Sequence, residues 1–424
     1  MTFITILIGK LVQTLSRLRG TNGSAAPGLV VERLNPKFLN KILQKLPHGV
    51  IVISGTNGKT TTTKIITELL RAENLRVFTN NTGSNFVRGV ISAVLDKISL
   101  TGKFDYDLAV LELDEAHAVK FCAAVPIDYA LLLNVQRDQL DRFGEIDHTA
   151  DLLNTVAGQA KKAVVLNRED PRIAKIHVKH AVFFGLSDTL KETFPSDDNL
   201  LTAPAQTSTR STHTKHPINN PQAPALTLLE SLSDKRASFK INQKHYSTAL
   251  KLTGIYNAFN ATGALALCLT VFPNLAPANL IKTLSNIEGA FGRGETFTYN
   301  GATIELFLVK NPSAFQLSLA SFADNEHDYM IAINDLIADG RDVSWLWNVD
   351  FSALPKEIAA TSGIRATDIA LRLKYDEKTV KTIEPDLTLA LKALCKNPET
   401  PKRIFATYTA MLELRKIITG KSIL

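Results

Sequence analysis

Cysteine is scarce in this chain of 424 residues: Cys122, Cys268 and Cys395 are the only three, and they lie far apart. That excludes a disulfide framework and a four-cysteine zinc site, and it fits a reducing, cytoplasmic setting. Long apolar runs are missing too, so no segment reads as a membrane span. A short apolar stretch, Phe3 to Ile8, precedes Ser24-Ala25-Ala26 and faintly resembles a signal peptide. No basic residue comes before it and Lys10 interrupts it, so no signal is expected. Leu7, Leu11, Leu15 and Leu18 recur instead at helical spacing, with Lys10, Arg17 and Arg19 between them. This predicts an amphipathic helix packed on the protein rather than lying on a membrane. Charge of one sign is not concentrated anywhere: 48 Lys and Arg against 41 Asp and Glu leave +7, spread along the chain. Anionic ligands or peripheral contact with an anionic membrane surface are compatible with that balance, and no nucleic-acid partner is expected.

What is present starts with Ile51 to Thr62, IVISGTNGKTTT. The β-branched run Ile51-Val52-Ile53 reads as a buried parallel strand. Gly55, Asn57 and Gly58 form a tight turn, and Lys59 and Thr60 open a helix that continues through Ile65, Ile66, Leu69 and Leu70. Backbone N–H groups and a helix N-terminus then point at one place, which suits a phosphate. Lys59 would reach the outer phosphates and the Thr60 hydroxyl would sit on Mg²⁺. The loop departs from the full Walker pattern, because Ile53 stands where its first glycine would fall. The plainer alternative is a glycine-rich turn with a solvated lysine.

Further strands are expected at Arg76–Thr79, Asp107–Leu113, Asp128–Leu133 and Lys162–Leu166, with helical stretches between them. The alternation predicts an α/β fold with a doubly wound parallel sheet and ligands at the strands' carboxyl ends. Thr21–Gly28 reads as a Gly/Ser/Pro linker, and Asn35–Leu46 as a short helix. Ser187–Arg236, rich in Ser, Thr, Pro, Asn and Asp, reads as an insertion or long loop, partly disordered. A hairpin is expected over Ala237–Leu252. A second α/β unit is expected to begin with a strand at Ala302–Val309 and to continue at Tyr329–Asn334, Glu357–Gly363 and Arg403–Tyr408.

Glu112 sits in an apolar strand, where an unpaired carboxylate is costly, so it is a candidate Mg²⁺ ligand beside the phosphate loop; a strand-end acid facing solvent is the alternative. Arg137–Glu145, dense in charge after an apolar strand, reads as either a salt-bridged helix start or the rim of an active site.

Taken together, these motifs resemble the Mur ligase superfamily of ATP-dependent amide-bond-forming enzymes. Gly55–Thr61 (GTNGKTT) resembles its ATP loop, Leu111-Glu112-Leu113 its Mg²⁺ strand, and Asn167–Pro171 its strand-end turn. Gly254–Asn260 is similar to the adenine-side motif, which implicates Asn257 and Asn260. Gly292–Glu295 resembles the segment opening the C-terminal domain, whose arginine, here Arg293, approaches the nucleotide. Within the superfamily the likeness is to the MurT-type ligases. It is carried by Asn80–Asn85, Leu111–Glu115, Arg137–Glu145, Ala290–Glu295, Lys310–Phe315 and above all Ala338–Phe351.

The resemblance implies the ligase subunit of a lipid II isoglutaminyl synthase. ATP and Mg²⁺ would activate the α-carboxyl of D-glutamate in the stem peptide as an acyl phosphate. Ammonia from a GatD-type glutamine amidotransferase partner would then amidate it. The implied ATP-binding set is Gly55, Thr56, Asn57, Gly58, Lys59, Thr60, Thr61, Asn257, Asn260 and Arg293. Thr60 and Glu112 would hold the metal, and Lys59 would act in catalysis. Asp342, with Asp350 as second candidate, would complete the partner's Cys-His triad; otherwise Asp339, Asp342 and Asp350 cap turns.

The implied layout is an N-terminal helical segment and linker over 1–45, a central P-loop domain over 46–288, and a Rossmann-like C-terminal domain over 289–424. Residues 187–236 lack cysteine, and His213 and His216 are too few for a site, so the zinc ribbon of many such proteins is not expected. Gln139 stands in place of a metal-binding histidine, no lysine follows to match a carbamylated one, and Lys310-Asn311-Pro312 replaces the ribose motif. An autonomous amino-acid ligase and a nucleotide-binding interaction module are the competing readings.

Overall fold

The computed structural model describes residues 2–18, 25–80, 86–136, 146–191, 224–233, 236–252, 254–289 and 293–420. Two sheets organise them. The first has nine strands: β1 (Val50–Ser54), β2 (Val77–Thr79), β3 (Leu108–Glu112), β4 (Ile127–Leu132), β5 (Ala160–Asn167), β6 (Ala181–Leu186), β7 (Ala225–Ser233), β8 (Arg236–Ile241) and β9 (Lys244–Ala249). Their order is β2-β3-β1-β4-β5-β6-β7-β8-β9. All pairs are parallel up to β6–β7, after which β7-β8-β9 form an antiparallel end.

The unbroken apolar run of β1 follows from helices on both faces. Val50 and Val52 enter one core, together with Phe38, Leu43, Val94 and Phe121; Ile51 and Ile53 enter the other, with Ile65, Leu69, Leu265 and Leu284. A strand buried on both sides has no polar face to alternate. β1 lies between β3 and β4, so the loop after it opens at the carboxyl end of the sheet's centre.

The second sheet has six strands: β10 (Arg293–Tyr299), β11 (Ala302–Leu308), β12 (Asp328–Ala332), β13 (Glu357–Ser362), β14 (Thr379–Glu384) and β15 (Lys402–Ala406), in the order β10-β11-β15-β12-β13-β14. Only β10 runs antiparallel, and two apolar cores cover the faces. Inside it the fully buried Lys402 pairs with Asp328 at 2.5 Å.

Several expectations are corrected. The second half of the supposed linker is helical: Ala25–Gly28 open the helix Ala25–Leu34, and Thr21 to Ser24 lie outside the described residues. Pro27 falls in its first turn, where a proline is tolerated. A Cβ on Gly28 would lie 2.1 Å from the carbonyl oxygen of Arg88, so that glycine permits close packing on the helix Val87–Lys97 rather than marking a loop.

The helix Thr2–Leu18 does rest on the protein, but with the other face. Thr5, Ile6 and Gly9 are buried, whereas Leu7, Leu11 and Leu15 point outward. Ser187–Arg236 is not wholly a loop, since Ala225–Ser233 is β7, paired to β6; residues 192–223, which hold His213 and His216, lie outside the described residues. The second sheet begins one strand earlier than Ala302, with the antiparallel β10. β6 and β14 also had no counterpart in the sequence reading.

Candidate active site

The site is built on the turn between β1 and the helix Lys59–Ala72. Gly55 and Gly58 have φ of +131° and +89°, conformations that side chains resist. Space restricts them as well. A Cβ on Gly55 would come within 2.9 Å of the Asn134 backbone, and one on Gly58 within 2.5 Å of Asn260 Oδ1. The helix Ile255–Val271 thus brings Asn260 against the loop, with Asn257 one turn nearer its start.

The loop is clamped from the end of β4. Thr56 N–H donates to the Asn134 carbonyl at 2.9 Å, Asn57 N–H to Asn134 Oδ1 at 2.8 Å, and Asn134 Nδ2 returns a bond to the Asn57 carbonyl at 2.9 Å. Gln136 adds its backbone N–H to Thr56 Oγ1 at 3.0 Å and accepts from Asn57 Nδ2 at 2.5 Å. These bonds fix the turn so that the first N–H groups of the following helix, which have no intrahelical acceptor, face one point. Thr61 is buried behind it.

Lys59 is buried and donates to the carbonyls of Gly55 (2.6 Å) and Thr56 (3.2 Å). It also pairs with Asp114 at 3.2 Å and lies 3.9 Å from Glu115. Burial alone pushes the Asp114 carboxyl up, but the charges of Lys59 and Lys310 outweigh it and hold the group below the usual carboxylate range. Thr60 Oγ1 donates to Glu112 Oε1 at 2.7 Å. Glu112 is held in turn by Asn80, whose Oδ1 accepts from the Glu112 N–H at 2.9 Å and whose Nδ2 donates to its carbonyl at 2.8 Å. A hydroxyl and a carboxylate oxygen side by side next to a phosphate cradle are a donor pair that suits Mg²⁺, which takes one or two protein oxygens and fills its shell from phosphates and water.

The second sheet reaches the same loop. Lys310 Nζ donates to the Thr56 carbonyl at 3.2 Å and Asn311 Nδ2 to Asn57 Oδ1 at 3.3 Å. Both come from the turn between β11 and the helix Pro312–Phe322, whose N-terminus Asn311 caps by accepting from Ala314 N–H. In the sequence Lys310 and Asn311 belong to a segment that carries the MurT-type likeness and depart from a ribose motif, with no sign that they reach the phosphate loop; Asn134 and Gln136 carry no signal beyond their place at a strand end.

Asp342 stands elsewhere, on the segment that follows the carboxyl end of β12. Asp339 is buried and accepts from Leu336 N–H, Thr409 N–H and the Thr409 hydroxyl, which ties that segment to the helix Tyr408–Thr419. Asp350 accepts from Ser352 N–H. Asp342 accepts from Ser344 at 2.8 Å, which holds its carboxyl below the usual range. All three therefore cap turns, and of the three only Asp342 is exposed. Leu336, Ile337 and Trp347, large apolar side chains on the same segment, are exposed as well, and the Trp347 ring meets the exposed Tyr375 edge-on at 5.2 Å. Arg293 opens β10. Gln139 and the rest of Arg137–Glu145, like Asn81–Asn85, lie outside the described residues.

A doubly wound sheet with a clamped phosphate loop at its centre, reached by a second α/β sheet, defines a nucleotide-phosphate-binding enzyme of the Mur ligase kind. Comparison with known proteins agrees. Residues 53–268 match the Mur ligase middle domain and residues 308–411 the MurT ligase C-terminal domain. A Streptococcus pneumoniae protein named lipid II isoglutaminyl synthase (glutamine-hydrolyzing) subunit MurT is 30% identical over 96% of this chain and 95% of its own. A Staphylococcus aureus protein of the same name is 29% identical over 89% of each chain. Among solved structures, a pseudomurein peptide ligase type C from Methanothermus fervidus superposes with a TM-score of 0.66 at 16% identity, covering 92% of this chain and 84% of that one. The chain belongs to the MurT family of Mur ligases.

Proposed function

We propose that this chain is the ATP-dependent ligase subunit of a lipid II isoglutaminyl synthase, working with a GatD-type glutamine amidotransferase. The observation that carries the reading is the meeting of Lys59, Thr60 and Glu112, from the elements around the first sheet, with Lys310 and Asn311, from the turn after β11 of the second, around a single loop.

A carboxylate is a poor acyl donor, so it must first become an acyl phosphate, and the cost of that step lies in charge on the transferring phosphoryl group. In this reading the loop N–H groups of Gly55 to Thr61 and the Lys59 ammonium bind the phosphates, Lys59 turning from its own loop carbonyls toward them. Asn257, Asn260 and Arg293 contact the rest of the nucleotide. Thr60 and Glu112 would hold Mg²⁺, which would supply neutralisation of phosphate charge. Asp114, itself tied to Lys59, keeps that ammonium placed before nucleotide arrives. Ammonia then attacks the acyl carbon and phosphate leaves with the bonding pair. Asp342, on an exposed and partly apolar segment, orients and charges the partner's catalytic histidine. The substrate is the D-glutamate α-carboxyl of the lipid II stem peptide, reached at the inner face of the membrane.

The test is ADP release by the purified chain with lipid II, ATP and Mg²⁺, driven by ammonium, by glutamine, or by glutamine with a GatD-type partner. Turnover is expected with ammonium, and with glutamine only when the partner is present. Turnover driven by an amino acid without a partner would instead make the chain an autonomous ligase.

A further inference from the structure

One helix carries an apolar face against which nothing in the described chain packs. On Thr2–Leu18, Phe3, Ile4, Leu7, Leu11 and Leu15 are 48–59% exposed. Spacings of three and four residues set them in one stripe about 18 Å long. They are five of the fifteen large apolar side chains exposed among the described residues. The helix cannot roll to hide them, because its other face is engaged. Ile6 belongs to the core, a Cβ on Gly9 would lie 2.7 Å from Val31, and Lys10 Nζ donates to the Leu95 carbonyl at 2.7 Å.

Charge narrows the choice of what covers the stripe. Residues 1–31 contain no Asp or Glu, and their charged side chains are Lys10, Arg17 and Arg19. A second copy docked stripe to stripe would bring together two segments of net positive charge with no acid in either to offset it. An anionic lipid surface takes both features at once: apolar side chains enter the acyl boundary while the net positive charge of residues 1–31 is attracted to the headgroups. None of the described helices is long and apolar enough to cross a membrane, so such a helix would lie in the interface plane.

We propose that the stripe Phe3, Ile4, Leu7, Leu11 and Leu15 docks this chain on an anionic lipid bilayer. The inference stands on the helix alone; in the proposed reaction it would hold the ligase where a lipid-linked substrate is met.

The experiment uses the full chain with vesicles that contain no lipid II, and no ATP or partner, so its failure is separate from failure of the proposed reaction. Sedimentation with vesicles of phosphatidylcholine alone, or mixed with phosphatidylglycerol, is measured at low and high salt. The chain should bind the phosphatidylglycerol vesicles, and more weakly at high salt. The Leu7→Ser/Leu11→Ser variant should bind at least about tenfold more weakly with its melting temperature kept, because both side chains are exposed and outside the core. Leu336→Ser/Ile337→Ser, which removes exposed apolar side chains from the Asp342 segment, should bind like the unaltered chain. Absence of binding by the unaltered chain, or equal binding by the Leu7/Leu11 variant, overturns the proposal. So does a dimer that the Leu7/Leu11 variant dissolves when no vesicle binding is seen.

Discussion

Single side chains divide the proposed chemistry into separable parts. Lys59 is a buried ammonium that donates to the loop carbonyls and pairs with Asp114, 3.9 Å from Glu115. Lys59→Ala should lower ATP turnover by roughly a hundredfold to a thousandfold, the usual cost of deleting one charge-stabilising donor. Binding of the partner should be unchanged, as measured by co-elution of the two chains. Asp342 should behave in the opposite way. It lies on an exposed segment after β12 and accepts from Ser344 N–H. Asp342→Asn should leave ammonium-driven ADP release intact and reduce glutamine-driven release by about three to four orders of magnitude, as loss of a triad carboxylate does elsewhere. If Asp342 only caps its turn, both rates would fall together or not at all.

At the scale of elements, backbone geometry decides what can change. Gly58→Ala would put a methyl 2.5 Å from Asn260 Oδ1 in a residue with φ of +89°. The strain is roughly 1–3 kcal/mol, and the turn should shift to relieve it. A lower melting temperature together with weaker nucleotide binding is the expected result. The segment joining the helix Pro312–Phe322 to β12 carries a charge cluster that should show itself in acid. Asp324 takes bonds from His327 and Glu326 N–H and pairs with Arg403, which in turn holds Glu305. Burial pushes the Asp324 carboxyl up, but these donors win and lower it to about 2. A depressed folded pKa stabilises the native state fully above the unfolded value of 3.8, and that contribution fades as pH falls toward 2. Asp324→Asn should therefore flatten the loss of stability between those pH values in denaturant titrations.

The same scale explains what could be read from sequence. The phosphate turn was legible because Gly55 and Gly58 must be glycine and because a strand doubly buried has no polar face. The helix Ala25–Leu34 was not, since Pro27 and Gly28 look like loop residues until the close approach to Arg88 supplies their reason. The leucine spacing of the first helix identified a helix but not its buried side. Ile6 and Gly9 pack inward, and a glycine that packs by its smallness leaves no apolar signal. β7 was hidden by the composition of the residues before it.

For the whole molecule, the question is how the second sheet takes part in chemistry built on the first. From beyond β10, the side chains of Lys310 and Asn311 bond to the phosphate loop. Lys310 has a further consequence, because its charge helps to keep Asp114 ionised, and Asp114 holds Lys59. Position of the second sheet and state of the loop are thus coupled through one ammonium. Removing it should weaken productive nucleotide binding without touching the acyl-transfer groups themselves. Lys310→Met, which keeps the stem and deletes the charge, should lower kcat/KM for ATP by about tenfold, the order expected for one charge-assisted hydrogen bond. Two features would distinguish this coupling from simple unfolding: an unchanged melting temperature without nucleotide, and a smaller stabilisation by ATP than the unaltered chain receives. An equal ATP-induced stabilisation in both chains would mean that the contact between the sheets contributes nothing to the loop.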